Sequence, residues 1–178
     1  GVLNNPKGLS KFMFKLRAEI GRNIGACIAP DTAYLQALGM ETLEVRYERM
    51  AESAYKLATY FAKHSAVAKA NYPTLESSPY KHIADRLLRN GAGAMFTINL
   101  ESKEACFAFL DKLKVIRRAT NLFDNKTLAI HPESTIYGSF SPEMKQTMGI
   151  EDNLIRFSVG LESFEDLRKD IEQALQKA

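Results

Sequence analysis

From Leu154 to Leu161 the chain alternates without a break. Ile155, Phe157, Val159 and Leu161 fall on one face of a strand, and Leu154, Arg156, Ser158 and Gly160 on the other, because successive strand side chains point to opposite sides. A helix follows directly, with Leu167, Ile171, Ala174 and Leu175 at helical spacing behind a capping-box-like start at Ser163 and Asp166. Upstream the same reading predicts a strand in 94–100, where Ala94, Phe96, Ile98 and Leu100 alternate with Met95, Thr97 and Asn99. It then predicts a helix capped by Ser102, with Cys106, Phe109, Leu110 and Leu113 buried. Weaker strands are expected at 67–72, ended by Pro73, and at 115–119 and 127–131; helices are expected over 79–90 and from Ser141 to Met148.

The first third of the chain reads differently, as helix only. One helix is expected after Ser10, with Phe12, Met13, Leu16 and Ile20 at helical spacing and weakening at Gly21 and Gly25. A second begins after Pro30 with Asp31 as its N-cap and carries Tyr34, Leu35 and Leu38. The longest puts Tyr47, Met50, Ala54, Leu57 and Phe61 on one stripe and leaves Glu52 and Lys56 to pair across one turn. Helices first, then strands interleaved with helices, predict an α/β fold of α+β-like sandwich type: a small, mainly antiparallel sheet covered by helices. With no repeat and no low-complexity linker, residues 1–178 are expected to form a single domain.

Length and composition narrow the function. At 178 residues, with 46% hydrophobic and 25% charged residues, the chain has enough apolar material for a core and no compositional reason for disorder. A net charge of +3 with both signs interspersed offers no basic stripe, so no nucleic-acid partner is expected. No apolar run approaches the ~18 residues of a membrane span, and a cytoplasmic location is expected. Cys27 and Cys106 stand apart from each other and from any histidine cluster, so no metal site is expected and both read as buried, reduced thiols. The chain opens on Gly1 rather than Met, which suggests a piece of a longer protein.

Phosphate loops, dinucleotide fingerprints and zinc-protease motifs do not occur. His64, His82 and His131 lie in different elements with no sequence partner that would make any of them a base, and each reads as structural or exposed. The Gly/Ala stretch 91–95 lies within a strand pattern and reads as close packing rather than a phosphate cradle. That leaves Arg156. An arginine on a half-buried strand is most often solvated or surface-paired, but a cation with a hydroxyl two residues on, both on a backbone fixed by a sheet, can also be built into a site for a small carboxylate. Spacing alone leaves both readings open.

The wording of the segments goes further. The LIRFSVGLE run with its acidic, Leu-rich helix resembles the C-terminus of the Cys/Met-metabolism family of pyridoxal-phosphate (PLP) enzymes. So does the ETLxxRxER signature at Glu41, Thr42, Leu43, Arg46, Glu48 and Arg49, the block YPTLESSPYKHIA, the strand GAGAMFTINL and the segment NLFDNKTLAIHPESTIY, all in the family's order. Within the family, Asn121 and the stretch 124–130 look more like O-acetylhomoserine sulfhydrylases than methionine γ-lyases or cystathionine synthases. The chain departs from the common pattern at Phe123, where glycine is usual, at Met50, where the subgroup often has histidine, and at Tyr137.

The resemblance implies the C-terminal domain of a fold-type I PLP enzyme, with Arg156 binding the substrate α-carboxylate, Asn121 as a second contact and Ser158 supporting the arginine. It implies PLP as cofactor of the intact enzyme, held by a lysine in a preceding domain whose motifs do not occur in this chain; no catalytic residue and no cofactor-binding residue is therefore expected here. The implied reaction replaces the acetate of O-acetylhomoserine by sulfide or a thiol, in an enzyme that is usually a tetramer. Methionine γ-lyase or cystathionine synthase chemistry on the same scaffold is the enzymatic alternative, and a stand-alone interaction module the non-catalytic one.

Overall fold

A computed structural model describes residues 6–25 and 27–176; Gly1 lies outside them. The chain divides into two compact units, up to Thr42 and from Leu43 onward. The first is helical. Helix α1, Pro6–Lys15, begins earlier than the apolar stripe predicts, and proline suits a first helical position because its missing N–H would have no partner there. It widens into a π-helical stretch, Leu16–Gly21, and ends in the short α2, Arg22–Ile24. Gly25 closes it at φ +68°, a left-handed conformation that costs glycine little.

Helix α3, Pro30–Glu41, is capped by Ala29 with no side-chain hydrogen bond, which corrects the expectation for Asp31. Proline takes the first helical position, so Asp31 falls inside the first turn, where its charge meets the positive end of the helix dipole. The helical spacing is as predicted, yet Phe12, Ile20, Tyr34, Leu35 and Leu38 are all exposed. Cys27 is exposed as well, against expectation, because it sits on the extended connection between helices rather than on an element with an inner face.

The unit from Leu43 is built on helix α4, Leu43–Ala62, whose Met50, Ala54, Leu57 and Phe61 are buried as the stripe predicts. Lys56 and Glu52 pair across one turn at 2.6 Å. A five-stranded sheet follows, in the order β1-β2-β5-β4-β3, with β1 Lys69–Asn71, β2 Met95–Asn99, β3 Arg117–Arg118, β4 Leu128–Ile130 and β5 Leu154–Ser158. All pairings are antiparallel except β3 with β4. The connecting helices are α5, Lys81–Leu87; α6, Lys103–Lys112; α7, Pro142–Thr147; and α8, Phe164–Leu175.

One face of the sheet is core. Phe96, Ile98, Ala129, Ile155, Phe157 and Val159 cluster with the inner sides of α4, α6 and α8. The caps read from sequence are made: Ser102 accepts from the Ala105 amide, Ser141 from Met144 and Ser163 from Asp166. One device escaped the pattern. Asp170, buried in α8, accepts the backbone N–H groups of Lys114, Val115 and Ile116 at 2.8–2.9 Å and so ties the last helix to the turn after α6.

The strands are all shorter than predicted: 94–100 narrows to Met95–Asn99, 115–119 to Arg117–Arg118, 127–131 to Leu128–Ile130 and the alternation over 154–161 to Leu154–Ser158. The stretch 67–72 is strand only at Lys69–Asn71, since the Val67 amide closes a turn onto the His64 carbonyl. The glycines of 91–95 lie before strand β2, not within it, with Gly91 at φ +102° and Gly93 at φ +83°. Close packing adds to the positive φ at Gly91, where a Cβ would lie 2.9 Å from that of Ala51, but not at Gly93, where nothing lies within 4 Å and the backbone conformation alone favours glycine.

Candidate functional site

The face of the sheet opposite α4, α6 and α8 carries Arg156. Register places Asn71, Thr97, Arg156 and Ile130 in one cross-strand row, with Met95, Ser158 and Leu128 in the row beyond the core residues between them. Strand geometry therefore holds Arg156 on a backbone paired on both sides, with β2 and with β4. Arg156 is half-buried as a residue, and its guanidinium end lies at the exposed edge of the face. Its Nη2 donates to the Thr120 hydroxyl at 3.1 Å, and among the described residues no carboxylate lies within ion-pair distance of it. A planar fork with one N–H committed and the others open matches an incoming carboxylate.

The connection between β3 and β4 runs along β5 on this face and is fastened to it three times. Thr120 meets Arg156, the Phe123 amide donates to the Ser158 hydroxyl at 3.2 Å, and the Asn125 carbonyl accepts from the Leu161 amide at 3.0 Å. The exit of β5 is locked to the same connection. Glu162 accepts from the Thr127 amide and hydroxyl, and the Thr127 hydroxyl in turn accepts from the Gly160 amide at 2.9 Å.

Asn121 sits inside this loop, exposed. Its side-chain carbonyl accepts from the Leu122 amide and its amide donates to Asp124, both at 2.9 Å. Asp124 also accepts from the Lys126 amide at 2.9 Å. That amide, followed by Asn121, holds the Asp124 carboxyl below its ordinary range, so it stays an acceptor and fixes the orientation of Asn121. Asn121 follows Thr120, the residue that Arg156 meets on this face, and its own side chain is bonded within the loop. Ser158 is buried on that face with its hydroxyl on the Phe123 amide.

Phe123 has the only positive φ of a non-glycine among the described residues, +58°. This is the physical reason a glycine suits the position. A side chain in that region costs roughly 1–2 kcal/mol. The ring recovers part of it by stacking on Tyr47 of α4 at 5.9 Å, an arrangement worth ~0.5–1.5 kcal/mol, and the Tyr47 hydroxyl is itself held by the Gly91 carbonyl at 2.8 Å. Sequence reading missed Thr120 and Tyr47, since neither stands in a pattern with Arg156; only the fold brings them to it.

The remaining candidates for chemistry are accounted for structurally. His131 is buried with Nδ1 on the Ser134 hydroxyl and Nε2 on the Asp152 carbonyl. His82 is exposed and His64 accepts from the Ala66 amide. Burial pushes the Cys106 thiol up to about 11 and the Tyr72 hydroxyl up to about 12, so neither is a base or nucleophile near neutral pH. Met50 is part of the core, and Tyr137 packs edge-on against Phe140. Among the described residues no three His, Cys, Asp or Glu side chains group as a metal site requires, and no helix is long and apolar enough to cross a membrane.

Residues 4–176 match the family model described as Cys/Met metabolism PLP-dependent enzyme. The chain is 38% identical to O-acetyl-L-homoserine sulfhydrylase 1 of Thermus thermophilus, over 92% of the chain and 39% of the relative. It is also 38% identical to an L-methionine gamma-lyase of Fusobacterium nucleatum, over 86% of the chain and 39% of the relative. A Campylobacter jejuni crystal structure that carries a pyridoxyl-lysine phosphate residue superposes with a TM-score of 0.85 at 35% identity, covering 93% of this chain and 40% of that one. The chain thus spans about 40% of the length of the curated relatives it matches.

A lysine that holds PLP must be buried beside the ring with its amine unpaired. Among the described residues no lysine is buried, and the half-buried Lys81, Lys103 and Lys145 are each ion-paired, so none of them offers the amine that such a linkage needs. The fold is nonetheless one that such enzymes share, and the chain belongs to the Cys/Met metabolism family of PLP-dependent enzymes.

Proposed function

We propose that this chain is the C-terminal, carboxylate-clamping part of an enzyme that replaces the acetate of O-acetylhomoserine by sulfide or a thiol, giving homocysteine or methionine. The observation that carries the reading is Arg156, a half-buried residue on a rigid strand whose guanidinium is open to an incoming group and has no carboxylate partner among the described residues. Arg156 grips the amino-acid α-carboxylate, Asn121 supplies a second polar contact, and Ser158 supports the clamp by holding the backbone of the loop between them. The PLP-bearing lysine belongs to the rest of the enzyme, which is the main partner of this chain.

The test is substitution in the full-length, PLP-loaded enzyme. Removing one partner of a shielded charge pair costs roughly 2–5 kcal/mol, so Arg156→Ala lowers kcat/KM for O-acetylhomoserine by at least roughly 30-fold. Arg156→Lys recovers only part, because an ammonium supplies charge without the fork. Unchanged kcat/KM in a folded, PLP-loaded Arg156→Ala enzyme would sink the assignment.

A γ-lyase reading is favoured by one observation, the equal 38% identity to the Fusobacterium lyase. Product analysis separates the two: homocysteine that forms from O-acetylhomoserine only when sulfide is supplied supports the sulfhydrylase, and release of a 2-oxo acid and ammonia from methionine supports the lyase.

A further inference from the structure

Phe123 is the strained point of the clamp face, and the strain is held from two sides. Its amide is fixed by the Ser158 hydroxyl and its ring by Tyr47, whose hydroxyl is anchored on Gly91. Between this pinned residue and Arg156 lie only Thr120, Asn121 and Leu122, and Thr120 is the residue that Arg156 touches. Backbone held in a sparsely populated conformation persists where its surroundings over-determine it, and such places concentrate at ligand clamps.

We infer that Phe123 is a positioning residue: the Tyr47–Phe123 stack fixes the loop that sets Thr120 against Arg156 and Asn121 beside it, and so tunes the grip on the amino-acid carboxylate. The inference rests on the carboxylate-clamp reading of Arg156. Helix α4, otherwise a core helix, reaches the site through this stack. An aliphatic side chain at 47 or a glycine at 123 removes the loop's tie to α4 and leaves it held by its bonds to β5 and the strand's exit, so that Thr120, Asn121 and the arginine sample a wider range of poorer geometries.

The experiment uses the full-length, PLP-loaded enzyme with Phe123→Gly, Phe123→Tyr, Tyr47→Leu and the double variant Phe123→Gly/Tyr47→Leu. Glycine removes the ring and relieves the backbone, so the fold and Tm are kept. The KM for O-acetylhomoserine rises up to about tenfold, the size of one lost stacking interaction, while kcat and the KM for sulfide hold. Phe123→Tyr restores the parent KM. Tyr47→Leu gives a rise of the same direction, and the double variant is no worse than the worse single one, because both remove one interaction.

Binding of L-norleucine, which carries the carboxylate and no leaving group, measured by calorimetry, weakens in parallel. A folded Phe123→Gly enzyme with the parent's KM and norleucine affinity overturns the inference, as does strict additivity of the two substitutions. If the unmutated enzyme neither binds norleucine nor turns over O-acetylhomoserine, the underlying reading of Arg156 fails, and the inference with it.

Discussion

The two faces of the sheet use the same three central strands for opposite ends. On the helix side, Phe96 and Phe157 stack at 4.8 Å, and Phe157 is met again by Phe61 at 5.4 Å and by Phe109 edge-on at 6.3 Å. On the other side the neighbours of Phe157 along β5 are Arg156 and Ser158, half-buried and buried, with partners in a loop rather than a helix. Stability concentrates on the first face because apolar area is removed from water there. The second is free to hold a cation with an open fork, because the first already fixes its backbone.

The sharpest way to break this division is Phe157→Ala. The ring is fully buried among three other aromatics, and truncating such a side chain costs roughly 3–5 kcal/mol through lost burial and a residual cavity. Chemical denaturation should show a loss of that size. A loss below about 1 kcal/mol would mean that this face does not carry the fold.

Gly160→Ala tests the second face where it does matter for stability. A Cβ on Gly160 would lie 2.5 Å from the Asn125 carbonyl oxygen and from the Lys126 carbonyl carbon, and both belong to backbone that cannot turn aside. Overpacking of this kind costs roughly 1–3 kcal/mol. It also shifts the loop that carries Asn121, so amide chemical shifts over 120–127 should move with the drop in Tm. An alanine variant of parental stability would show that the loop is not clamped at the end of β5.

This division was half legible in the sequence. Period-two alternation around Phe157 and the capped helix behind it are local signals, and the fold keeps both. Arg156 could be found from its face, and the family wording gave it a role. Thr120, Tyr47 and the meaning of Phe123 were not legible, because they depend on a crossover connection folding back along β5 and on a single φ of +58°. Nor could periodicity tell α1 and α3 from core helices: it reports an apolar stripe, while burial depends on a second surface, and Tyr34 and Leu35 stay 66% and 64% exposed. Asp170 shows the same limit from the polar side, since its three backbone partners are more than fifty residues away.

A smaller effect is expected from Glu133, which accepts from Lys103 of α6 and Lys145 of α7. Those two ammonium groups, Lys103 first, hold its carboxyl down to about 2, against an ordinary 4.5. A carboxyl depressed on folding contributes stability that is fully present above pH 4.5 and is lost as pH falls through the folded value. The advantage of the parent over Glu133→Gln in denaturation midpoint should therefore be constant near neutrality, shrink between pH 4.5 and 2, and vanish below. A pH-independent difference would show that the two lysines contribute through packing alone.

The smallest effect on stability is expected at the residue on which the proposed clamp rests. Arg156 has one hydrogen bond to an exposed threonine and no carboxylate within ion-pair distance among the described residues, so its removal breaks no buried pair and opens no cavity in the aromatic core. Its one hydrogen bond is exposed to solvent, where such a contact contributes little, so the change in unfolding free energy should stay within about 0.5 kcal/mol of the parent. A catalytic defect of thirtyfold or more without a stability defect would place Arg156 on the functional side of the sheet, since trade-offs of this kind mark sites built for a ligand rather than for the fold. A loss of stability above about 1 kcal/mol would instead make the arginine a structural member of the loop it holds, and the two faces would no longer divide as the geometry says.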